Sequence, residues 1–533
     1  MTTKYKAMHL FCGIGGGSLG FGRSKTEYKG AVGQFENICG IDADPEIVKD
    51  YERITGSKGV CMDLFSRDQY IDFHGQEPPE DWREVTGDDI WMAAGCQAPD
   101  VVFTSPPCKG FSGLLPEKSA KTSKYQALNK LTVRGIRLCL DAFDHDLPSL
   151  FLLENVPRIT SRGKKLLDEI KALLISRGYV VSDESHDCGE IGGLAQHRKR
   201  YLLIARNEEK MSAFVYKPVE KKLKTIGDVF GPLPLPDDAA AGPLHKMPNL
   251  QWKTWVRLAL IPAGGDWRDL KDIDWENYRI DHYHGSGYDK VEKRDRTGVT
   301  DPKLNDRDSR HPNVYKIEKW DESSPTVTGN RFGSGAPAIS DPRVGFKENA
   351  SSTFYKVTRW EESASTITGA YRPNNGALSI PDPRFGCSMR SGTFGVMDWN
   401  EAAKTVTGSG DVHAGCSAIA DPRIPEDTDK GVFVIIAEDG TWHRPLTTFE
   451  LAMLQGFPSH FEDGVPFQLE GKNDARWRER IGNAVPPEAA EAIANVMLYA
   501  LMVSAAGEWE LGFTEIWVTP EEGSEENELS ILQ

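Results

Sequence analysis

The sequence predicts an α/β protein built on a mostly parallel, doubly wound sheet, with a long irregular, β-rich insertion before the sheet domain resumes. Three observations support this. Up to about residue 205, short apolar runs alternate with helical patterns, as βαβ units require. From about Lys217, Pro, Gly, Asp and Trp become frequent and helical periodicity fades. After about Gly431, regular elements return. The expected partition is 1–215, an insertion over 216–435, a return over 436–505 and a solvated acidic tail over 506–533.

The candidate strands are Ala7–Phe11, Asn37–Ile41, Val101–Thr104, Leu150–Leu153 and Tyr201–Ala205, each bordered by a polar or glycine-containing loop. Ligands of open α/β sheets bind beyond the carboxyl ends of the strands, so the residues following these runs carry most weight. In the return segment, Leu446–Gln455 has helical spacing with Thr447 or Thr448 as N-cap, and Pro486-Pro487 opens a long apolar helix from about Glu488 to Met502.

The 533 residues allow two or three domains, and the mean hydropathy of −0.45 is that of an ordinary globular chain. No apolar run approaching the ~18 residues of a membrane span is evident, and the N-terminus lacks a signal-peptide pattern. Nine scattered cysteines with no CxxC pair support neither a disulfide framework nor a metal site, so a cytoplasmic protein is expected. The net charge of −16 argues against a nucleic-acid partner. That argument is weakened by Gly507–Gln533, which holds eight Glu and no Lys or Arg.

The insertion contains a threefold repeat near 313–343, 353–385 and 393–423. YKIEKWDESSPTVTG, YKVTRWEESASTITG and FGVMDWNEAAKTVTG are each followed by a DPR tripeptide, and Trp320, Trp360 and Trp399 lie 40 and 39 residues apart.

HLFCGIGGGSLGF begins at His9, and Gly13, Gly15, Gly16 and Gly17 let the backbone turn sharply beside a ligand. Asp42 ends the next strand 27 positions after Gly15, where an acid commonly bonds a ribose hydroxyl, and Asp63 suits an adenine amino group. A glycine turn alone fits any nucleotide-binding α/β protein. In VVFTSPPCKGFSG, Pro106-Pro107 stiffens the loop and presents Cys108 at its tip. The competing reading is a buried structural cysteine; a nucleophile would need its thiol pKa lowered. LFLLENVPRI places Glu154-Asn155 after a strand, as a cleft carboxylate or as a capping or salt-bridged residue. In LAQHRKRYLLIA, the period of two directs Arg198 and Arg200 to one face, for an anion or carbonyl or as a solvated basic turn.

In this order, FCGIGGGSLGF, SPPCKGFS, ENVP, QHRKR, RPLTTFELAMLQGFP and IGNAVPP resemble the DNA (cytosine-5) methyltransferase family, over Phe11 to Pro487. The glycine loop is unspecific, but the ordered series is highly specific. The resemblance implies a Rossmann-like class I methyltransferase domain using S-adenosyl-L-methionine, with the insertion as target-recognition domain. It implies Cys108 as the nucleophile adding to cytosine C6, and Glu154 as the acid bonding N3 and the exocyclic amine. Arg200 and Arg198 would hold the base O2 and the Cys108 loop. Cofactor contacts are implied for Phe11, Gly13, Ile14, Gly15, Gly16, Asp42, Asp63, Leu64 and Pro107, with Asn483 and Val485 returning from the last motif. No metal is implied.

The implied partner is double-stranded DNA with the target base flipped from the stack. A monomer is expected, in a bacterial or phage modification role with a separately encoded restriction endonuclease as companion. Lys109 stands where Gln is usual, Ala43 where a bulky residue packs on adenine, and Ala195 where Pro is common. Arg331, Arg343, Arg372, Arg384 and Arg423 in the repeats are candidates for phosphate or guanine contacts, with turn-forming scaffold as the alternative. An RNA cytosine-5 methyltransferase shares the catalytic plan, although that branch is generally compact. A non-catalytic DNA-binding relative would lack Cys108, Glu154 or the arginines, and all are present.

Overall fold

The computed structural model describes residues 2–107, 122–212, 214–248, 442–508 and 515–518, with short stretches between 260 and 436. Cys108, Lys109 and the five repeat arginines lie outside the described residues. The chain divides into two units: Met1–Asn249 with Met397–Ile419 and Pro445–Gln533, and Leu250–Val396 with Ala420–Arg444. The sequence boundaries therefore shift. Texture alone assigned 216–249 and the whole third repeat to the insertion, whereas Ile226, Phe230, Met397, Ala403 and Ile419 are buried in one apolar cluster with Leu446 and Phe449.

The first unit is built on β1 (Thr2–Leu10), β2 (Lys25–Tyr28), β3 (Ala31–Asp42), β4 (Gly59–Cys61), β5 (Val101–Thr104), β6 (Leu150–Asn155), β7 (Tyr179–Asp187) and β8 (Lys199–Asn207). The sheet order is β2-β3-β1-β5-β6-β8-β7, with β4 pairing β3 off this path. Strands β4, β3, β1, β5 and β6 are parallel, while β2, β8 and β7 each pair antiparallel with their neighbours.

Alternation along β5 shows why two layers cover the sheet. Val102 faces a cluster with Leu10, Ile41 and Leu153, closed by Ile136 and Leu140 of helix α5 (Ser123–Ala142). Val101 and Phe103 face the other cluster, closed by Ile493, Met497 and Leu501 of α11 (Pro487–Ala505). The helices between are α1 (Gly16–Arg23), α2 (Pro45–Thr55), α3 (Arg67–His74), α4 (Gly87–Ala93), α6 (Lys164–Ile175), α7 (Cys188–Gly192), α8 (Ile226–Phe230), α9 (Thr448–Leu454) and α10 (Asp474–Asn483). Thr447 caps α9 in a capping box with Glu450.

Two expectations are corrected here. Asp474–Ala505 has the length and composition of a membrane span, with mean hydropathy 1.2 over its window, but 56% of that window is buried in the protein. The α11 portion supplies one wall of the core. The acidic tail is not uniformly solvated: Ile516–Val518 forms β10, antiparallel to β9 (Val215–Tyr216), and buries Trp517 and Val518. Its apolar triplet was masked by the surrounding Glu residues. In the second unit, Asp281–His284 pairs antiparallel with Phe433–Ile436, and Ile317–Lys319 pairs parallel with Ala338–Ser340 within the first repeat.

Candidate active site

Strand register levels the motif ends into a row. Leu10 pairs with both Ile41 and Thr104, and Thr104 pairs with Leu153, so Asp42, Phe11, Ser105 and Glu154 follow one another along the carboxyl edge. Strand β4 pairs Cys61 with Asp42 and brings Asp63 to the same edge. Because β8 runs antiparallel to β6, its start, not its end, reaches this edge: Glu154 pairs with Leu202 and Asn155 with Tyr201. That reversal is why Arg200 meets the row from the start of its strand, not from beyond its end.

At one end of the row the chain leaves β1 through Phe11 at φ 52°, Gly13 at φ 51° and Gly15 at φ 88°, three left-handed positions of which glycine occupies two. Gly13 N–H donates to Asp42 Oδ2 (3.1 Å) and Asp44 N–H to Oδ1 (3.2 Å). Burial raises the Asp42 carboxyl above its usual range, against the pull of these backbone donors. Asp63 accepts from Phe65 N–H (3.0 Å) and the Trp82 indole (3.3 Å), a partner the sequence did not suggest. Leu64 and Ile14 are buried in core clusters, so their side chains serve packing. Phe11 is half-buried, its ring against Gly135. A Cβ on Gly16 would lie 2.0 Å from Val485 O, which fixes the last motif against the glycine turn. Asn483 is exposed at the end of α10, and Pro107 is half-buried where the described loop ends.

At the other end, Glu154 is 6% exposed and both of its oxygens are held. Arg200 Nε forms an ion pair with Oε1 (2.7 Å) and Ser105 Oγ donates to Oε2 (2.7 Å). A buried carboxylate with charge-assisted partners on both oxygens is fixed in orientation. Ser105, which the sequence marks only as part of a stiff loop, thus joins the candidate site through Glu154; its place directly before Pro106 was the available signal.

Arg198 and Arg200 do not share a task. Arg198 is fully buried, and its Nη2 donates to Gly482 O (3.0 Å) and Ala484 O (2.7 Å). Arg198 lies before β8 begins, so strand alternation does not align it with Arg200. Gln196, also unassigned from sequence, donates to Leu454 O (2.8 Å) and the Gln455 side chain (2.8 Å). Gln196, Arg198 and Arg200 therefore reach three separate motifs.

Cys12 and Cys188, two described thiols at this end of the sheet, are poor nucleophiles. Burial raises Cys12 well above the thiol range and pushes Cys188 up to about 12. Asp187, Glu190 and His197 lie within 4.8 Å of one another at their ligand atoms, but Asp187 already accepts from Gly189 N–H, Arg198 N–H and the His197 ring.

The family described as C-5 cytosine-specific DNA methylase matches residues 5–498. The type II methyltransferase M1.HphI of Haemophilus parahaemolyticus is 24% identical over 49% of this chain and 62% of its own length. DNA (cytosine-5)-methyltransferase 1 of Mus musculus is 30% identical over 24% of this chain and 8% of its own. The chain thus spans less than two thirds of these relatives. Among solved structures, Entamoeba histolytica EhMeth is 13% identical, with 93% of this chain and 98% of that chain covered and a TM-score of 0.47. Dnmt2 of S. pombe is 13% identical over 94% and 99%, with a TM-score of 0.39. The family match spans both ends of the motif row and the segments between them, and the chain belongs to the C-5 cytosine-specific DNA methylase family.

Proposed function

We propose that this chain methylates carbon 5 of cytosine in double-stranded DNA at a specific sequence, with Cys108 as covalent nucleophile and S-adenosyl-L-methionine as methyl donor. The observation that carries this is the Glu154 carboxylate, buried and gripped by Arg200 and Ser105 in the same row as the Gly13–Asp42 turn. The donor's fit rests on two features: no atom lies within 4 Å of a Cβ placed on Gly13, and the adjacent Asp42 carboxylate is held by backbone donors. Asp42, Asp63, the Gly13–Gly16 turn and Asn483 would hold it, and when bound it supplies an electrophilic methyl group on a sulfonium.

The protein's own groups do the rest. Cys108, on the loop after Pro107, adds as thiolate to C6, and the displaced electron pair makes C5 nucleophilic. Glu154 bonds N3 and the exocyclic amine of a base flipped from the stack, stabilising the charge that this addition places on the ring. Once C5 carries the methyl, its proton departs and the returning electrons expel the Cys108 thiolate. Arg200 holds Glu154 throughout; Arg198 is a positioning residue that holds the Gly482–Ala484 backbone.

M1.HphI is a type II methyltransferase, which supports a modification role alongside a separately encoded nuclease. The test is base-resolution mapping of 5-methylcytosine in duplex DNA treated with the purified protein and the donor, with transfer RNA as a parallel substrate. Methylation of duplex DNA at a defined sequence, lost in Cys108→Ser together with covalent trapping on 5-fluorocytosine DNA, is the expected result. Methylation confined to RNA, or turnover retained by the serine variant, overturns the proposal.

A further inference from the structure

The third repeat leaves the second unit and joins the first. Residues Met397–Ile419 belong to the first unit, although the chain on either side of them belongs to the second. Within that stretch, Ala403 forms a parallel bridge with Gln196. Ala403 N–H donates to Ala195 O and His197 N–H donates to Ala403 O, both at 2.6 Å. Thr405 Oγ1 donates to His197 O at 2.6 Å, and Ile226 N–H donates to Glu401 O at 2.7 Å. Three main-chain polar groups of the Ala195–His197 segment are thus taken by the repeat. Arg198 and Arg200 follow immediately.

The sequence explains why the third copy can occupy this place. Two positions before the repeat tryptophan, the first two copies have Glu318 and Thr358, and the third has Met397. Met397 is 5% exposed in the cluster that includes Ala195, Ala403 and Leu446. A carboxylate there would be stripped of water without a charged partner, which disfavours the first copy's Glu at this place.

We propose that the contacts of Glu401, Ala403 and Thr405 position the Gln196–Arg200 segment and, through it, the Arg200–Glu154 pair. This rests on the methyltransferase reading. The repeat then has a role apart from reading bases: its A-x-T stretch clamps the backbone whose next residues grip Glu154 and the Gly482–Ala484 loop. Losing the Thr405 hydroxyl frees His197 O and loosens the segment, leaving Arg200 in place but less firmly held.

The test uses the full-length protein and three readouts: amide hydrogen exchange at His197, kcat, and KM for the donor. Thr405→Val keeps the side-chain shape and removes the hydroxyl. The expected result is about tenfold faster exchange at His197 and a kcat lowered about five- to tenfold, with donor KM within about twofold, the size of change expected from one lost hydrogen bond. Thr405→Ser should restore both. Unchanged exchange at His197, or accelerated exchange with full turnover, overturns the proposal. So does failure of serine to rescue. Because the exchange readout needs no catalysis, and the wild-type protein is assayed for duplex methylation alongside, failure of the methyltransferase reading is seen separately.

Discussion

Substituting Gly13 and Gly16 by alanine should separate a ligand-facing turn from a packing contact only three residues away. At Gly16 the new Cβ would stand 2.0 Å from Val485 O and 3.3 Å from Phe457 Cζ. A carbon–oxygen contact settles near about 3.3 Å, so roughly 1.3 Å must be recovered by moving backbone on one side or the other. Neither side yields easily, since Arg198 ties the neighbouring Gly482 and Ala484 carbonyls and Pro486-Pro487 follows directly. Overpacking of this kind costs about 1–3 kcal/mol, which lowers the melting temperature by roughly 1–4 °C in a unit of this size. At Gly13 the added methyl meets nothing within 4 Å, and φ of 51° lies in the left-handed region, for about 1–2 kcal/mol of backbone cost at most. If the open space beside Gly13 receives the donor, Gly13→Ala should weaken S-adenosylmethionine binding at least tenfold by calorimetry while melting near the wild-type temperature. Gly16→Ala should show the larger thermal loss. Equal affinities for Gly13→Ala and wild type would refute the placement of the donor at this turn, and an unshifted Gly16→Ala melt would refute the packing argument.

Other consequences follow from the same geometry. Glu154→Gln should lower kcat about 10²- to 10⁴-fold with donor affinity within about twofold, measured by single-turnover methyl transfer; a loss confined to donor binding would place Glu154 elsewhere in the reaction. Arg198→Met leaves two buried carbonyls unpaired and should cost about 2–4 kcal/mol in urea unfolding, whereas a midpoint unchanged from wild type would show that the Gly482–Ala484 loop is held by other means. His9 is buried with its ring against Asn37 Oδ1 (2.8 Å), and burial lowers its pKa from 6.5 to about 4. Its folded pKa is depressed, so the stabilisation is complete above pH 6.5 and is lost as pH falls through about 4, amounting to about 3 kcal/mol. His9→Gln should flatten the stability–pH curve across that window; parallel curves for the two proteins would exclude the imidazole as the source.

Most of the sheet was legible because each strand is a short apolar run ending at a breaker, and β5 was bounded correctly at Val101 and Thr104. Helices α9 and α11 were legible for the same kind of reason, Thr447 and Pro487 marking their starts. Strand direction was not legible. Apolar runs carry no sign, and only the register of β6 with β8 shows why Arg200 reaches Glu154 from the start of its strand. Arg198 and Arg200 looked equivalent because spacing encodes a face only within a regular element. The Ser105–Glu154 bond joins residues 49 positions apart, and the burial of Trp517 depends on a partner strand near residue 215; neither has a local sequence mark. The third repeat was found by periodicity, but one of its departures from the other copies, Met397, has a meaning that appears only against the cluster it fills.

Helix α11 lies against the opening turn of the chain: a Cβ on Gly20 would lie 2.3 Å from Pro487 O, and Lys25 N–H donates to Asn495 across 470 residues. A ribosome making this protein therefore finishes the glycine turn's wall only after the whole insertion has emerged. Closing so long a loop is slow, and the early strands must wait with one face uncovered. A chain arrested within the insertion would expose that face to chaperones and proteases, whereas a separately supplied segment beginning near residue 445 could complete it in trans. Any tuning of the insertion's length or folding speed is then also a tuning of how much competent protein a cell obtains.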